Sequence, residues 1–179
     1  VIIFSPHPDD DVVSMGGTFD RLVSQGHEVH IAYQVKGNIA VSDHDALKFI
    51  EVSKDMFKND SKVPVSELIK ELKNNKPDKI DSQAVRDLKG FIRKREAIAA
   101  TRYIGIPDSN THFMNLPFYD TGRIKKNPPT KKDVLITASL IKKIKPHQIF
   151  AAGDLEDPHG THKVCLDVIL DALDTLKGE

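Results

Sequence analysis

Apolar positions recur along this chain in two rhythms. Val1-Ile-Ile-Phe4 is a short unbroken apolar run, stopped by Ser5-Pro6, and predicts a buried strand. Phe19, Leu22 and Val23 then recur at helical spacing, predicting a helix that opens at Gly16-Gly17 and stops at Gly26. Glu28 to Val35 returns to strand character. Strand, helix and strand in such quick succession form a crossover unit, and crossovers build parallel sheets.

Further on, the pattern predicts a helix from about Ser42 to Lys58, with Asp43 an anion in its first turn. The Lys-rich, weakly patterned stretch from Asn59 to Lys79 reads as a surface helix with loops. A long helix from about Asp81 to Tyr103 carries an inner stripe of Val85, Leu88, Ile92, Ala99 and Tyr103, with Glu96 on the same side, and ends at Gly105 and Pro107. Asp108 to Pro129 is loop-rich, with a short strand marked by Phe113, Leu116 and Phe118. Lys131 to Lys143 is helical, Gln148 to Ala152 is a strand, and Thr161 to Leu176 is a final helix with Thr161 as its N-cap. The order of elements predicts an α/β fold: a Rossmann-like, doubly wound, mostly parallel sheet with helices on both faces.

The 179 residues suit a single domain spanning 1–179. Lys plus Arg and Asp plus Glu number 26 each, so no net charge draws the chain to nucleic acid. The one cysteine, Cys165, rules out an internal disulfide and fits a reducing, cytoplasmic setting; it sits among apolar helix positions, as inert core. No apolar run reaches the roughly 20 residues of a membrane span. The chain starts inside a strand pattern without Met and ends inside a helix pattern, which reads as a domain cut from a longer protein. The residues leave the oligomeric state open, a homo-oligomer included.

Two polar clusters follow predicted strands. His7-Pro-Asp9-Asp10-Asp11 comes after the first, and Asp154-Leu-Glu-Asp-Pro-His159-Gly-Thr-His162 after the strand ending at Ala152. Ligands of doubly wound sheets bind beyond the carboxyl ends of strands, where strand order reverses, so the clusters face each other if these two strands are neighbours there. Two imidazoles and a carboxylate, at His7, His162 and Asp10, form a three-ligand set with a position left open, as in catalytic zinc sites. Iron could occupy the same ligands. Zinc lowers the pKa of its bound water from 15.7 to about 7. Asp9, next to a ligand but aimed elsewhere, is placed to act as general base, and His159 to meet an oxyanion or protonate a departing amine. Gly16-Gly17 either lets backbone approach a substrate or simply starts the helix.

The run His7-Pro-Asp-Asp resembles the signature of the PIG-L/LmbE-like N-acetylglucosamine deacetylases. The resemblance covers nearly the whole chain, including the strand before the motif, Gly16-Gly17, Arg93-Lys-Arg-Glu96, Ile104-Gly105 and His159-x-x-His162. It implies a zinc hydrolase with a Rossmann-like fold, acting on N-acetylglucosamine or its phosphate or conjugate. By that resemblance the metal ligands are His7, Asp10 and His162, the general base is Asp9, and the oxyanion-side histidine is His159. The helix arginine facing substrate falls on Arg93. Apart from the resemblance, Asp120 in the loop-rich stretch reads as a sugar contact or equally as a turn cap. Two positions depart from the family pattern: Asp11 stands where Glu is usual, and His-Gly-Thr-His where His-Pro-Asp-His is common. More narrowly, Phe4 to Gly17 and Gly37-Asn-Ile-Ala40 are similar to the C-terminal domain of bacterial fusion proteins whose first half is glucosamine-6-phosphate deaminase-like. This implies such a domain as an N-terminal partner.

The same residues also admit plainer readings. His-Pro-Asp-Asp fits a polar turn after a strand, Arg93 with Glu96 fits an i,i+3 ion pair, and Asp120 fits a turn cap. The lysines at 70–79 and 125–132 read as solvated faces. His27, His30, His44, His112 and His147 have no partner at ligand spacing. In function, the alternative to a deacetylase is a catalytically silent sugar-binding or regulatory module fused to a deaminase.

Overall fold

The computed structural model describes residues 1–56, 65–76, 79–154 and 156–177. The expected helix end at Lys58, and residues 59–64 and 77–78 of the Lys-rich stretch, lie outside them. The chain resolves into two compact units, one made of residues 1–36 and 94–179 and the other of residues 37–93.

The first unit is built on a parallel sheet. Among the described residues its strands are β1 (Ile2–Ser5), β2 (His30–Tyr33), β3 (Thr111–Phe113) and β4 (Ile149–Ala151), in the order β3-β2-β1-β4. β1 pairs in parallel with both β2 and β4, with Ile3 opposite Ile31 on one side and Phe150 on the other. All four β1 residues are buried, as a central strand covered on both faces requires. Alternate side chains serve opposite layers. Ile2 and Phe4 pack with Ala138 and Ile141 of α5 (Lys131–Ile144) and Ile169 and Ala172 of α6 (Thr161–Leu176). Ile3 packs with Phe19 of α1 (Asp10–Ser24) and Ala97 of α4 (Gln83–Tyr103). This is the expected three-layer Rossmann-like arrangement. Strand order reverses between β1 and β4, so the two polar clusters leave the sheet side by side.

Three local expectations need correction. α1 starts at Asp10, not at Gly16-Gly17, and is broken at Met15 just before the glycine pair. The last two motif residues, Asp10 and Asp11, open its first turn, where they complement the helix dipole. Beyond Ile92 the stripe on α4 falls in another phase. Ala97, Ile98 and Thr101 are buried, whereas Glu96 and Ala99 are exposed and Tyr103 is 92 % exposed. Small side chains fit closely against the sheet layer there, and the large tyrosine is left in solvent. The short strand is Thr111–Phe113. Leu116 and Phe118 are buried through a 3₁₀ turn at Pro117–Tyr119 instead.

The second unit packs α2 (Asp43–Met56), α3 (Val65–Lys73) and the first half of α4 around Ala46, Ile50, Leu68, Leu72, Val85 and Ile92. Among the described residues, one charged group lies inside it. The Lys89 ammonium, 7 % exposed, donates to Asp43 Oδ1 at 2.6 Å and to Asp81 Oδ2 at 2.7 Å. Burial alone would raise the Asp43 carboxyl, but hydrogen bonds from Lys89 and Asn75 hold it below its ordinary 3.8. Burial would likewise lower the Lys89 ammonium, and the two carboxylates hold it above its usual range. Asp43 therefore contributes its full stability above about pH 4, and loses it as pH falls through the depressed folded value. Lys89 loses its contribution only as alkaline pH rises through its raised one. Lys89→Ala is expected to cost about 2–4 kcal/mol, less than for a fully enclosed pair because Asp43 is 35 % exposed. Urea unfolding at neutral and acid pH checks this: the gap between variant and wild type should narrow on the acid side.

Candidate metal centre

The turn after β1 is closed by its own side chains. The His7 backbone N–H donates to Asp10 Oδ2 at 2.8 Å, and the Asp9 N–H donates to the His7 carbonyl at 2.8 Å. Below the turn lies a buried network. Ser5 Oγ accepts from the Asp11 N–H at 3.0 Å, and Tyr33 donates its hydroxyl to Asp11 Oδ2 at 2.9 Å. Burial raises the Asp11 carboxyl despite these hydrogen bonds, and burial beside Asp11 pushes the Tyr33 phenol up. Asp11 thus points into the core beneath the turn while Asp10 points out of it.

The second cluster is set by α6. Its N-cap is Gly160, in the left-handed region at φ 68°, which glycine adopts without the steric cost a side chain carries there. Thr161, expected as the cap, is the first helical residue and is 1 % exposed. The free backbone donors are met by Asp157, whose carboxylate accepts from the N–H of His159 at 3.1 Å and of His162 at 3.0 Å. Burial works against ionisation of Asp157, but these N–H groups hold it below the usual carboxylate range. Cys165, one turn on, is fully buried, and burial pushes its thiol up, in line with an inert core position.

These two frames bring three atoms to one point. His7 Nδ1 lies 3.1 Å from Asp10 Oδ2, and His162 Nε2 lies 3.2 Å from each of them. His7, Asp10 and His162 form the group of described residues that could hold a metal ion. The spacing tests the fit: ligands about 2.0–2.1 Å from a tetrahedral zinc are about 3.3–3.4 Å apart. A near-equilateral triangle of this size caps one face of such a tetrahedron and leaves a corner open. Neutral imidazoles would present lone pairs to a cation there, and the Asp10 carboxylate would match part of its charge. For Asp10, burial favours the protonated form, yet the His7 hydrogen bonds and both imidazoles hold its carboxyl below the ordinary value, so it is a charged ligand. His162 Nδ1 is buried without a hydrogen-bond partner and lies 3.6 Å from Asp154 Oδ2. A carboxylate thus faces the far side of this imidazole even though the second motif has no Asp between its histidines, and such backing orients a ligand histidine.

A cavity of about 320 Å³ opens against the triangle, with Asp10, Ser14, Gly153, Asp154 and His162 in its wall. A Cβ on Gly17 would meet nothing and one on Gly16 only ordinary contact with Val12, so packing demands neither glycine. Asp9 is exposed at the N-cap of α1, and its side chain makes no capping hydrogen bond. His159 is exposed on the turn before α6. Asp120 lies 3.6 Å from Lys36, and both line a second cavity. Arg93 is half-buried on α4 and belongs to the other compact unit.

Sequence reasoning missed four residues here. Asp154 and Asp157 lie inside the quoted cluster but signal no role until the loop folds back. Tyr119 meets the His7 ring edge-on, with 5.9 Å between ring centres. Lys126, read as part of a solvated face, is instead half-buried with its ammonium 3.7 Å over the Tyr119 ring centre.

Comparison with known proteins agrees with this architecture. The family model for GlcNAc-PI de-N-acetylase, PIG-L, matches residues 2–173. A Bacteroides thetaiotaomicron protein described as glucosamine-6-phosphate deaminase-like is 50 % identical over 186 residues, covering 100 % of this chain. The chain spans 28 % of that relative's length. Among the described residues, no helix is long and apolar enough to cross a membrane.

Proposed function

The chain belongs to the PIG-L family of GlcNAc-PI de-N-acetylases, and we propose that it is a zinc-dependent hydrolase removing the N-acetyl group of an amino sugar. The observation that carries this reading is the triangle of His7, Asp10 and His162 at 3.1–3.2 Å, open to a cavity on one side. His7, Asp10 and His162 would hold a divalent cation, which would supply Lewis acidity and a water acidic enough to react at neutral pH. Asp9 is placed to accept the proton that a water molecule would release as its oxygen bonds to the acyl carbon. It suits this part because it adjoins a ligand without being one and its side chain makes no capping hydrogen bond to the helix. His159, one turn before His162, steadies the developing oxyanion and delivers a proton to nitrogen as the C–N bond breaks. Acetate and a free amine leave. Asp120 binds sugar hydroxyls from the second cavity, supported by its place in that wall. Arg93 is carried as a substrate contact by the family resemblance alone.

The rest of the longer protein supplies a deaminase-like half in this reading, as the relative's description suggests. The single buried thiol suits a reducing cytoplasm. The test is acetate release from N-acetylglucosamine and its 6-phosphate, before chelation, after it, and after zinc is restored. Loss on chelation and recovery with zinc are expected. Release unaffected by chelation removes the metal from the reaction, and no release from any amino sugar favours the silent module.

A further inference from the structure

A third cavity, of about 540 Å³, opens beside the edge strand β3, and it shares no wall residue with the cavity at the triad or the one at Tyr119. Its wall belongs to the first unit. Lys94 comes from α4, its ammonium 4.9 Å over the centre of the Phe113 ring, and Lys143 comes from α5. Met114, Ile136 and Leu140 supply an apolar floor, each half-buried against the core. No aspartate or glutamate is among the described residues of this wall. His112 adds a third group that can carry charge. Its Nε2 lies 3.1 Å from His30 Nδ1, with the two rings stacked at 19°. The Glu28 carboxylate, 3.3 Å from His30 Nε2, can only accept, so His30 keeps its proton there and its Nδ1 accepts from His112 Nε2. The other nitrogen of His112 can then take a proton without breaking the pair. Burial first, then His30 and Lys143, hold His112 below its ordinary 6.5, and a bound anion would offset that.

We propose that this groove binds a small organic anion, a phosphate or carboxylate carried on an apolar body, whose charge meets Lys94 and Lys143 and whose body lies on Met114, Ile136 and Leu140. The site does not depend on what the triad catalyses. Two other occupants match the wall less well. A guest strand would find only the three residues of β3 to pair with, and lysines beside a short edge oppose such pairing. Nucleic acid is held by a track of cations, whereas this wall has two lysines over an apolar floor, on a chain without net charge.

The test titrates hexyl phosphate, hexanoate, inorganic phosphate and hexanol into the intact zinc-loaded protein by calorimetry, in wild type, Lys94→Met, Lys143→Met, the double variant and Lys132→Met. At least one hexyl anion is expected to bind roughly tenfold or more tighter than inorganic phosphate and hexanol, since burying two methylenes alone supplies about that factor. Lys94→Met and Lys143→Met should each weaken it about three- to fivefold, and together about tenfold or more. Lys132 lies on α5 outside the wall, so its substitution should leave binding unchanged. In wild type the His112 ring signal in NMR, assigned through His112→Gln, should titrate at higher pH with the anion bound, in the presence of Lys94, Lys143, His30 and Glu28. Whichever hexyl anion binds tighter decides between phosphate and carboxylate. Inorganic phosphate or hexanol binding as tightly as both hexyl anions overturns the site, as does affinity that the double variant keeps, or no binding at all. Binding that blocks acetate release and leaves the His112 titration in place puts the ligand at the triad, and that also overturns it. Circular dichroism separates lost binding from lost folding in the variants, and the wild-type comparisons decide the matter even where a variant fails to fold.

Discussion

Replacing His162 with alanine is expected to remove stoichiometric zinc and, with it, acetate release down to background. The three candidate ligand atoms are spaced 3.1–3.2 Å apart, so each supplies one corner of a single coordination face. Removing one leaves a carboxylate and an imidazole, and a two-ligand site falls outside the three-ligand pattern of catalytic zinc. The loss in affinity should exceed the roughly 10- to 100-fold that follows when only a supporting group behind a ligand is removed. Asp154→Asn serves as the graded control. Asp154 stands 3.6 Å behind the His162 imidazole, so its loss should weaken zinc within that smaller range. The fold should survive His162→Ala, because α6 is anchored by Cys165, Val168, Ile169 and Ala172 rather than by the half-buried imidazole. Metal content by mass spectrometry, read beside circular dichroism and acetate release, checks the prediction. One equivalent of zinc held by the alanine variant at wild-type affinity would falsify the triad as the binding site.

How far such a site can be read from sequence depends on how local its causes are. α6 runs from Thr161 to Leu176, the bounds its periodicity predicts, because one amphipathic face and a flanking glycine determine it. The pairing of β1 with β4 follows from two chemical clusters after two strands, since a doubly wound sheet joins such loops at its switch point. α1 shows what periodicity misses. Its first turn begins with the last two motif residues, Asp10 and Asp11, and the break at Met15 separates it from the apolar stripe that pattern reading detects. On α4, apolar size misled beyond Ile92, because the sheet layer accepts Ala97 and leaves Tyr103 outside. The boundary between the compact units has no mark in composition, since α4 runs unbroken through residues 93 and 94. Least legible were Asp154 behind His162 and Lys126 over Tyr119. Each contact is made by a loop folding back, and no spacing along the chain encodes it.

Asp9→Asn is expected to lower kcat by about 10² to 10⁴-fold while zinc content stays at the wild-type level. The substitution keeps size and shape while removing the negative charge and, with it, the capacity to accept a proton. Asp9 contributes no atom to the triangle, so the cation should bind as before. It does not cap α1 through its side chain, so the helix loses no hydrogen bond of that kind. The pairing with His162→Ala is therefore diagnostic: one variant loses metal and activity together, and the other loses activity alone. Asp11→Asn supplies the third case. The residue is 3 % exposed and its carboxylate accepts from Tyr33 and Ser5, so its cost should fall on folding stability, at roughly 1–3 kcal/mol, more than on turnover. Three adjacent acidic residues thus divide into proton acceptor, ligand and core anchor according to where each points. An Asp9→Asn enzyme that turns over at the wild-type rate with full zinc would assign the proton to another group, and His159 would be the next to test.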